Sequence, residues 1–270
     1  MRGMFTCGVL DVFMENGISF DGAAGISAGA AFGCNIKSRQ AGRAIRYNKK
    51  YCTDPRYCSF RSLIKTGDLF GGEFCYRTIP QELDPFDYKT FAENPMEFYA
   101  GAVDVKTGKV VYHKFTDCGD ADMLWLQASA SMPLVSRPVR VDGYELLDGG
   151  IADSVPYAFM EGKGYDRNVI VLTQPKGYRK KKSKATPAFK LLLAKYPKVA
   201  EALAQRYKMY NAQMAAIDRR EAEGSALVIR PPQALGIGRT EDDPNELERV
   251  YQLGRAEAER RLEEVRKFLG

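Results

Sequence analysis

The pentapeptide Gly25-Ile26-Ser27-Ala28-Gly29 decides how this chain is expected to fold. It follows a short apolar run at residues 20–24 and leads into small and apolar residues at 28–36. A G-x-S-x-G pattern between a strand and a helix places its serine on a tight turn, because the flanking glycines leave room for a strained backbone. The same spacing also fits a glycine-rich turn with a purely structural serine, and the pentapeptide alone does not separate the two interpretations.

The only histidine of the chain limits which base such a serine could use. A Ser-Asp-His hydrolase of the G-x-S-x-G type needs a histidine after its acid, and nothing beyond His113 can supply one. His113 lies on a predicted strand at 110–114, where we interpret it as a structural residue. The sequence therefore favours a carboxylate acting directly on Ser27.

The stretch Asp148-Gly149-Gly150 offers a candidate for that carboxylate. Asp-Gly is also a strong hairpin signal, and residues 142–143, between two strand-like runs, fit an ordinary hairpin turn. Asp148 instead has a strand before it and no matching strand after it. Because two glycines follow, nothing crowds its side chain, which can reach into a pocket. Residues 153–156 resemble a helix start with Asp153 or Ser154 as the N-cap. These positions favour a functional role for Asp148 and a capping role for Asp153.

Four motifs share one order along the chain: residues 2–11 (RGMFTCGVLD), 25–29 (GISAG), 128–133 (ASASMP) and 148–150 (DGG). In combination they resemble the bacterial patatin-like phospholipases, which are lipid acyl hydrolases with a Ser-Asp dyad, over roughly residues 1–175. The resemblance implies an α/β, three-layer patatin-like fold with a mostly parallel central sheet. It also implies that Ser27 is the nucleophile, that Asp148 is its base, and that residues 128–133 line the pocket beside them.

The first motif departs from the family pattern. The family has a hydrophobic strand and a run of glycines directly before the arginine, whereas this sequence begins at Met1-Arg2-Gly3. Those glycines would offer N–H donors to an oxyanion, each worth about 3–4 kcal/mol in a comparable hydrolase. We therefore expect the first strand and the leading glycines to be missing, with Arg2 and Gly3 as the candidate oxyanion and pocket residues.

Composition and patterning complete the expected organisation. The 270 residues fit one elaborated catalytic α/β domain at residues 1–175 and a basic loop with a helical extension, packed on that core, at 176–270. A strand pair is expected at 98–105 and 110–114, and a buried parallel strand at 168–173. Amphipathic helices are expected at 189–217 and 247–269.

Cysteine and histidine usage bears on compartment and cofactors. The six cysteines are scattered without a C-x-x-C pair and are interpreted as reduced thiols, and no run approaches the roughly 20 apolar residues of a membrane span. One histidine and no thiolate cluster disfavour a zinc site. The sequence therefore predicts a cytoplasmic protein that needs no metal or organic cofactor.

A strongly basic segment separates the two predicted parts. Residues 176–220 carry 13 Lys and Arg against two acids. The segment could hold the protein peripherally on an anionic membrane, at about 1 kcal/mol per basic residue near the surface. A solvated loop and helix face is an equally weighted interpretation, and no motif points to nucleic acid. The residues of the predicted membrane contact are Lys176, Arg179, Lys180, Lys181, Lys182 and Lys184.

These observations predict a serine ester hydrolase that cleaves acyl esters of phospholipids or related lipids through an acyl-enzyme. Two alternatives stay open. One is a catalytically impaired lipid-binding or regulatory homologue, and the other is a lipid acyltransferase that uses the same acyl-enzyme with an alcohol acceptor.

Overall fold

A computed structural model describes residues 1–270 as an α/β protein with a helical C-terminal part, which confirms the predicted fold class. The helices are Gly3–Glu15 (α1), Ala28–Lys37 (α2), Arg43–Tyr51 (α3), Phe60–Thr66 (α4), Tyr88–Glu93 (α5), Asp120–Ala130 (α6), Tyr157–Gly162 (α7), Thr186–Leu192 (α8), Pro197–Glu223 (α9), Pro244–Arg260 (α10) and Leu262–Leu269 (α11). A π-helix occupies Phe74–Leu83 and a 3-10 turn Gly149–Ile151. The strands are Gly22–Ile26 (β1), Glu97–Asp104 (β2), Val110–Phe115 (β3), Val139–Val141 (β4), Tyr144–Asp148 (β5), Asn168–Val171 (β6) and Ala226–Ile229 (β7).

The five-stranded main sheet is organised around β2. Antiparallel β3 covers one edge of β2 over residues 98–103, so β1 and β5 must share the other edge. Strand β1 runs parallel to β2 and ends with Ile26 opposite Gly101, whereas β5 runs antiparallel and ends with Asp148 opposite Ala102. The carboxyl ends of β1 and β5 therefore meet head-on at adjacent positions of one strand.

The expectation of a mostly parallel central sheet is wrong. Within this sheet only β1 and β2 pair in parallel, while β2–β3, β2–β5 and β4–β5 are antiparallel. Short turns join β2 to β3 and β4 to β5, and a short connection between adjacent strands can only make an antiparallel pair. The Asp142-Gly143 turn closes the second hairpin with positive φ at both residues (49° and 77°), as a type I′ turn requires.

Helices cover both faces of this sheet in a three-layer arrangement. On one face Ala100, Ala102 and Leu146 pack with residues of α2 and α6. On the other face Val103 and Leu147 pack with Leu193, just after α8, and with residues of α9. Successive residues of β2 thus point into different cores, as the two-residue period of a strand demands.

The C-terminal residues pair and pack with elements from the earlier part of the chain. Strand β7, which the sequence did not predict, pairs in parallel with β6 to form a second, two-stranded sheet. Helix α10 packs along α1, where the Tyr251 hydroxyl donates to the buried Asp11 carboxylate at 2.8 Å. Glycines allow this approach: a Cβ on Gly254 would lie 2.0 Å from the Phe5 carbonyl oxygen, and one on Gly8 would lie 2.1 Å from the Tyr251 carbonyl oxygen.

The α1–α10 contact yields a stability prediction. Gly254→Ala should lower the free energy of unfolding by about 1–3 kcal/mol, because the added methyl must push two backbones apart. Gly162→Ala is the matched control, since a Cβ there meets nothing within 4 Å. Urea unfolding of both variants checks the prediction, and equal midpoints for the two would contradict it.

Candidate active site

Ser27 lies on a sharp turn between the end of β1 and the start of α2. Its backbone has φ 56° and ψ −123°, a region that a non-glycine residue adopts only under strain. The turn depends on Gly25, because a Cβ at that position would lie 2.3 Å from the Gly29 carbonyl oxygen. The local geometry is therefore that of a nucleophile elbow, with the serine at its tip.

Asp148 ends β5 and lies beside that turn. The residue is 6% exposed, and its carboxylate accepts a hydrogen bond from the Gly150 amide at 2.7 Å. The Asp148 amide donates to the Ser131 carbonyl oxygen at 2.8 Å, which fixes the end of the strand. The structure thus brings together Ser27 and Asp148, the two residues that the sequence singled out.

Ser129 connects the elbow to the sheet. Its hydroxyl accepts a hydrogen bond from the Ser27 amide at 2.9 Å and donates to the Gly101 carbonyl oxygen at 2.8 Å. Gly101 is the residue of β2 at which β1 ends, so this oxygen lies at the junction of β1 and β5. The segment 128–133, expected near the dyad, holds Ser27 through Ser129 and Asp148 through Ser131.

Opposing influences act on the Asp148 carboxyl. Burial is the largest and raises its pKa, while the nearby Ser27 hydroxyl and the Gly150 amide lower it. The charges of Arg206 and Arg239 lower the pKa further, yet the balance leaves it above the ordinary aspartate value. A carboxylate with a raised pKa is a stronger base than one in water.

Arg2 and Gly3 lie beside this pair. Helix α1 begins at Gly3, where a Cβ would come within 3.0 Å of the Ala28 Cβ and 2.6 Å of the Phe32 ring. The N-terminal ends of α1 and α2 therefore meet next to Ser27. Amides in the first turn of a helix have no partner within it, so both ends present donors that an oxyanion could accept.

A cavity of about 2000 Å³ contains these residues. Arg2, Ser27 and Asp148 line it, and most of its other lining residues are apolar, among them Met123 and Leu126. A cavity of this character can take the acyl chain of a lipid, with polar groups confined to the reacting end.

Cationic side chains from the C-terminal half also line the cavity, and the sequence did not reveal them as site residues. Arg206, on α9, donates from Nε to the Gly150 carbonyl oxygen at 2.6 Å. Lys180, expected in the membrane contact, turns inward instead and lines the cavity, half-buried, with Nζ 3.8 Å from the centre of the Tyr210 ring. The exposed Arg239 lines the cavity as well. Only the tertiary structure could identify these positions, because they are 32 to 91 residues away from Asp148 in the chain.

The other residues of the predicted membrane contact are ion-paired or exposed, and Lys181 among them also lines the cavity. Lys176 pairs with Glu221 and Arg179 with Asp218, each at 3.2 Å. Lys181, Lys182 and Lys184 are exposed.

The structure also shows where His113 and Asp153 lie and what they contact. His113 bonds Asp122 at 2.6 Å and stacks on Trp125, and it does not line the cavity. The capping role for Asp153 is wrong: Pro156 precedes α7 without a side-chain cap, and Asp153 accepts hydrogen bonds from Tyr112 and Gln213 instead. No three His, Cys, Asp or Glu side chains are grouped in a way that could hold a metal ion.

Comparison with known proteins agrees with the fold. The family model for patatin-like phospholipases matches residues 1–160, and a model of a domain of unknown function, DUF6363, matches residues 196–270. Because the first match spans more than half of the chain, the protein belongs to the patatin-like phospholipase family.

The similar proteins include both named and uncharacterized members. The chain is 30% identical over 193 residues to the uncharacterized protein YjjU of Escherichia coli, which covers 64% of this chain and 49% of that protein. It is 27% identical over 176 residues to lysophospholipase nte1 of Aspergillus terreus, covering 61% of this chain and 11% of the relative. An uncharacterized NTE family protein of Mycobacterium bovis is 26% identical over 170 residues, covering 63% of this chain and 45% of that protein. The chain thus spans half or less of these relatives, and no helix in it is long and apolar enough to cross a bilayer.

The Ser129 bridge yields a prediction about positioning. Ser129→Ala leaves the Ser27 amide and the Gly101 carbonyl oxygen without their partner, which should cost about 1–3 kcal/mol of stability and loosen the elbow. We expect the rate of fluorophosphonate labelling at Ser27 to fall, and Ser129→Thr to restore part of it. Ser131→Ala is the control, because its hydroxyl only donates back to Gln127 within the α6 turn. Equal labelling of the two alanine variants would contradict a positioning role for Ser129.

Proposed function

We propose that this protein hydrolyses acyl esters of phospholipids or related lipids through a Ser27–Asp148 dyad. The observation that carries the proposal is the strained turn that presents Ser27 directly beside a buried carboxylate of raised pKa. Membership of the patatin-like phospholipase family and the similarity to a protein named lysophospholipase support a lipid ester as substrate.

The proposed reaction has two halves. In the first, the Ser27 Oγ attacks the ester carbonyl carbon while the Asp148 carboxylate accepts the hydroxyl proton, and the tetrahedral intermediate collapses to an acyl-enzyme. The departing alkoxide takes the proton from Asp148, so the lysolipid or glycerol product leaves neutral at that oxygen. In the second, Asp148 accepts a proton from water as the water attacks the acyl carbon, and this proton returns to Ser27 as the fatty acid leaves.

Basicity is the main chemical difficulty of a dyad without histidine. An aspartate near its ordinary pKa is a weak base for an alcohol. Burial of Asp148 moves its pKa in the useful direction, and the Gly150 amide holds the carboxylate in place during proton transfer. The oxyanion would be stabilised by first-turn amides near Ala28 and Gly3, where two helix N-termini meet.

The dyad predicts which substitutions abolish turnover. Ser27→Ala and Asp148→Asn should each reduce hydrolysis of a p-nitrophenyl acyl ester by at least about a thousandfold, since the two residues act as one unit. His113→Gln is the control, because His113 does not line the cavity, and its turnover per folded molecule should be almost unchanged. An inactive His113 variant together with an active Asp148 variant would refute the dyad.

The charges around Asp148 predict the pH dependence. The carboxylate must be deprotonated to act as a base, so kcat/KM should fall as the pH drops through its raised pKa. Arg239 lowers that pKa, and therefore Arg239→Gln should raise it further and move the acid limb to higher pH. The pH profiles should be measured with an uncharged ester, so that a change in the charge of the substrate cannot move the acid limb. Lys182→Met is the control, because Lys182 is exposed and lies outside the cavity. An unmoved acid limb in the Arg239 variant would contradict the assignment of Asp148 as the base.

A further inference from the structure

Arg2, Lys180, Arg206 and Arg239 line the cavity together with Ser27 and Asp148, and these four cations lie near enough to interact with one another. About half of the Lys and Arg residues elsewhere in the chain form ion pairs, whereas none of these four has a carboxylate within 4.0 Å. Arg2, Lys180 and Arg206 are half-buried, so solvent screens their charges less than at an open surface. Unpaired cations that converge in a cavity indicate that an anion completes the arrangement.

The fold fixes two of these cations in place. Arg206 is tied by its Nε to the Gly150 carbonyl oxygen, two residues after Asp148, which leaves the other guanidinium nitrogens without a protein partner. The main chain of Lys180 is bound on both sides by the Asn211 side chain, which accepts from the Lys180 amide at 2.8 Å and donates to its carbonyl oxygen at 3.0 Å. Tyr210, one helical turn after Arg206, lies beneath the Lys180 Nζ.

The cations also interact with one another. Burial lowers the pKa of Lys180 to about 7, and the charges of Arg206, Arg2 and Arg239 contribute to the decrease. The pKa of Arg206 is lowered as well, chiefly by burial. A bound anion would offset this mutual repulsion and the loss of hydration.

We propose that Lys180, Arg206 and Arg239, with Arg2, bind the phosphate of a lysophospholipid whose ester carbonyl lies at Ser27. The inference rests on the proposed function and specifies its substrate as a phosphate-bearing lipid without a cationic head group. Phosphate offers several acceptor oxygens, which guanidinium and ammonium groups bind by charge-assisted hydrogen bonds. A choline group would bring a further positive charge into a cluster that contains no paired carboxylate, so zwitterionic lysolipids should bind less well.

Three of the four cations lie in the chain beyond residue 175, and Arg206 and Arg239 lie within the part that the domain of unknown function matches. The inference therefore assigns this part of the chain a role in substrate selection. The competing interpretation is that the cations only tune the pKa of Asp148, in which case removing them should affect neutral and phosphate-bearing esters alike.

The test uses full-length Ser27→Ala protein and non-hydrolysable probes with one alkyl chain, below their micelle concentrations. Dodecyl phosphate should bind at least about tenfold more tightly than dodecylphosphocholine or dodecyl maltoside by calorimetry. Adding Lys180→Met or Arg239→Gln should weaken dodecyl phosphate by about five- to tenfold and leave dodecyl maltoside unchanged. Lys182→Met is the matched control, because this neighbouring lysine is exposed and lies outside the cavity. Arg239 is itself exposed, so its substitution should leave the fold intact.

A second arm measures hydrolysis by the wild-type protein. Lysophosphatidic acid should be cleaved with a higher kcat/KM than monoacylglycerol or lysophosphatidylcholine of the same chain, and Lys180→Met should reduce that preference through KM. Selective binding of dodecyl phosphate without hydrolysis of any ester would refute the proposed function but support the subsite. Hydrolysis without head-group preference, or equal binding of the three probes, would overturn the subsite. Inorganic phosphate that binds as tightly as dodecyl phosphate would also overturn it, by indicating a site for a soluble anion.

Discussion

The candidate site depends on a single constraint in the sheet: β1 and β5 end against each other on one edge of β2. Neither strand can extend past the junction at Gly101 and Ala102. The backbone must therefore leave the sheet after Ile26 and again after Asp148. Ser27 and Asp148 are the residues at those two ends. A one-residue slip of either strand would turn each of its side chains to the opposite face of the sheet and so into the wrong core. The cores on both faces of the sheet therefore hold the two residues in register, and the Ser129 hydroxyl fills the polar gap between the strands.

The Asp148 carboxyl at this junction must be basic enough to accept a proton and must still carry its negative charge before it does so. Burial alone would push the Asp148 carboxyl toward its neutral form, in which it could not accept a proton. The Gly150 amide and the two arginines stabilise the anion, and the balance keeps the pKa above its ordinary value. Every buried side-chain nitrogen and oxygen in the structure has a hydrogen-bond partner, so this charge is accommodated without uncompensated polar atoms nearby.

Local patterns in the sequence singled out two residues that the fold brings together, but they did not predict the direction of the strands in the sheet. The G-x-S-x-G turn and the contrast between Asp142-Gly143 and Asp148-Gly149 identified Ser27 and Asp148, because turn chemistry is set by neighbouring residues. The family resemblance implies a mostly parallel sheet, whereas the short loops at both hairpins require the antiparallel pairs that the structure contains. The short strand at 226–229 and the inward turn of Lys180 depend on partners about 30 to 60 residues away in sequence, Asn168–Val171 for the strand and Asn211 for the lysine. Periodicity carries no signal for such pairings.

The C-terminal residues are better regarded as part of the site than as an appendage. Helix α9 contacts the loop after Asp148 twice, through Arg206 to Gly150 and through Gln213 to Asp153. That helix in turn packs on β6 and β7. Elsewhere in the C-terminal part, α10 packs closely on α1 at Gly8 and Gly254. The two helices approach so closely there that a Cβ on Gly8 or Gly254 would clash with the facing backbone. A displacement of α10 would therefore be transmitted to α1, whose first residue, Gly3, packs against Ala28 beside the serine. Family models divide the chain at about residue 160, but the packing joins the two parts at the position where chemistry is expected.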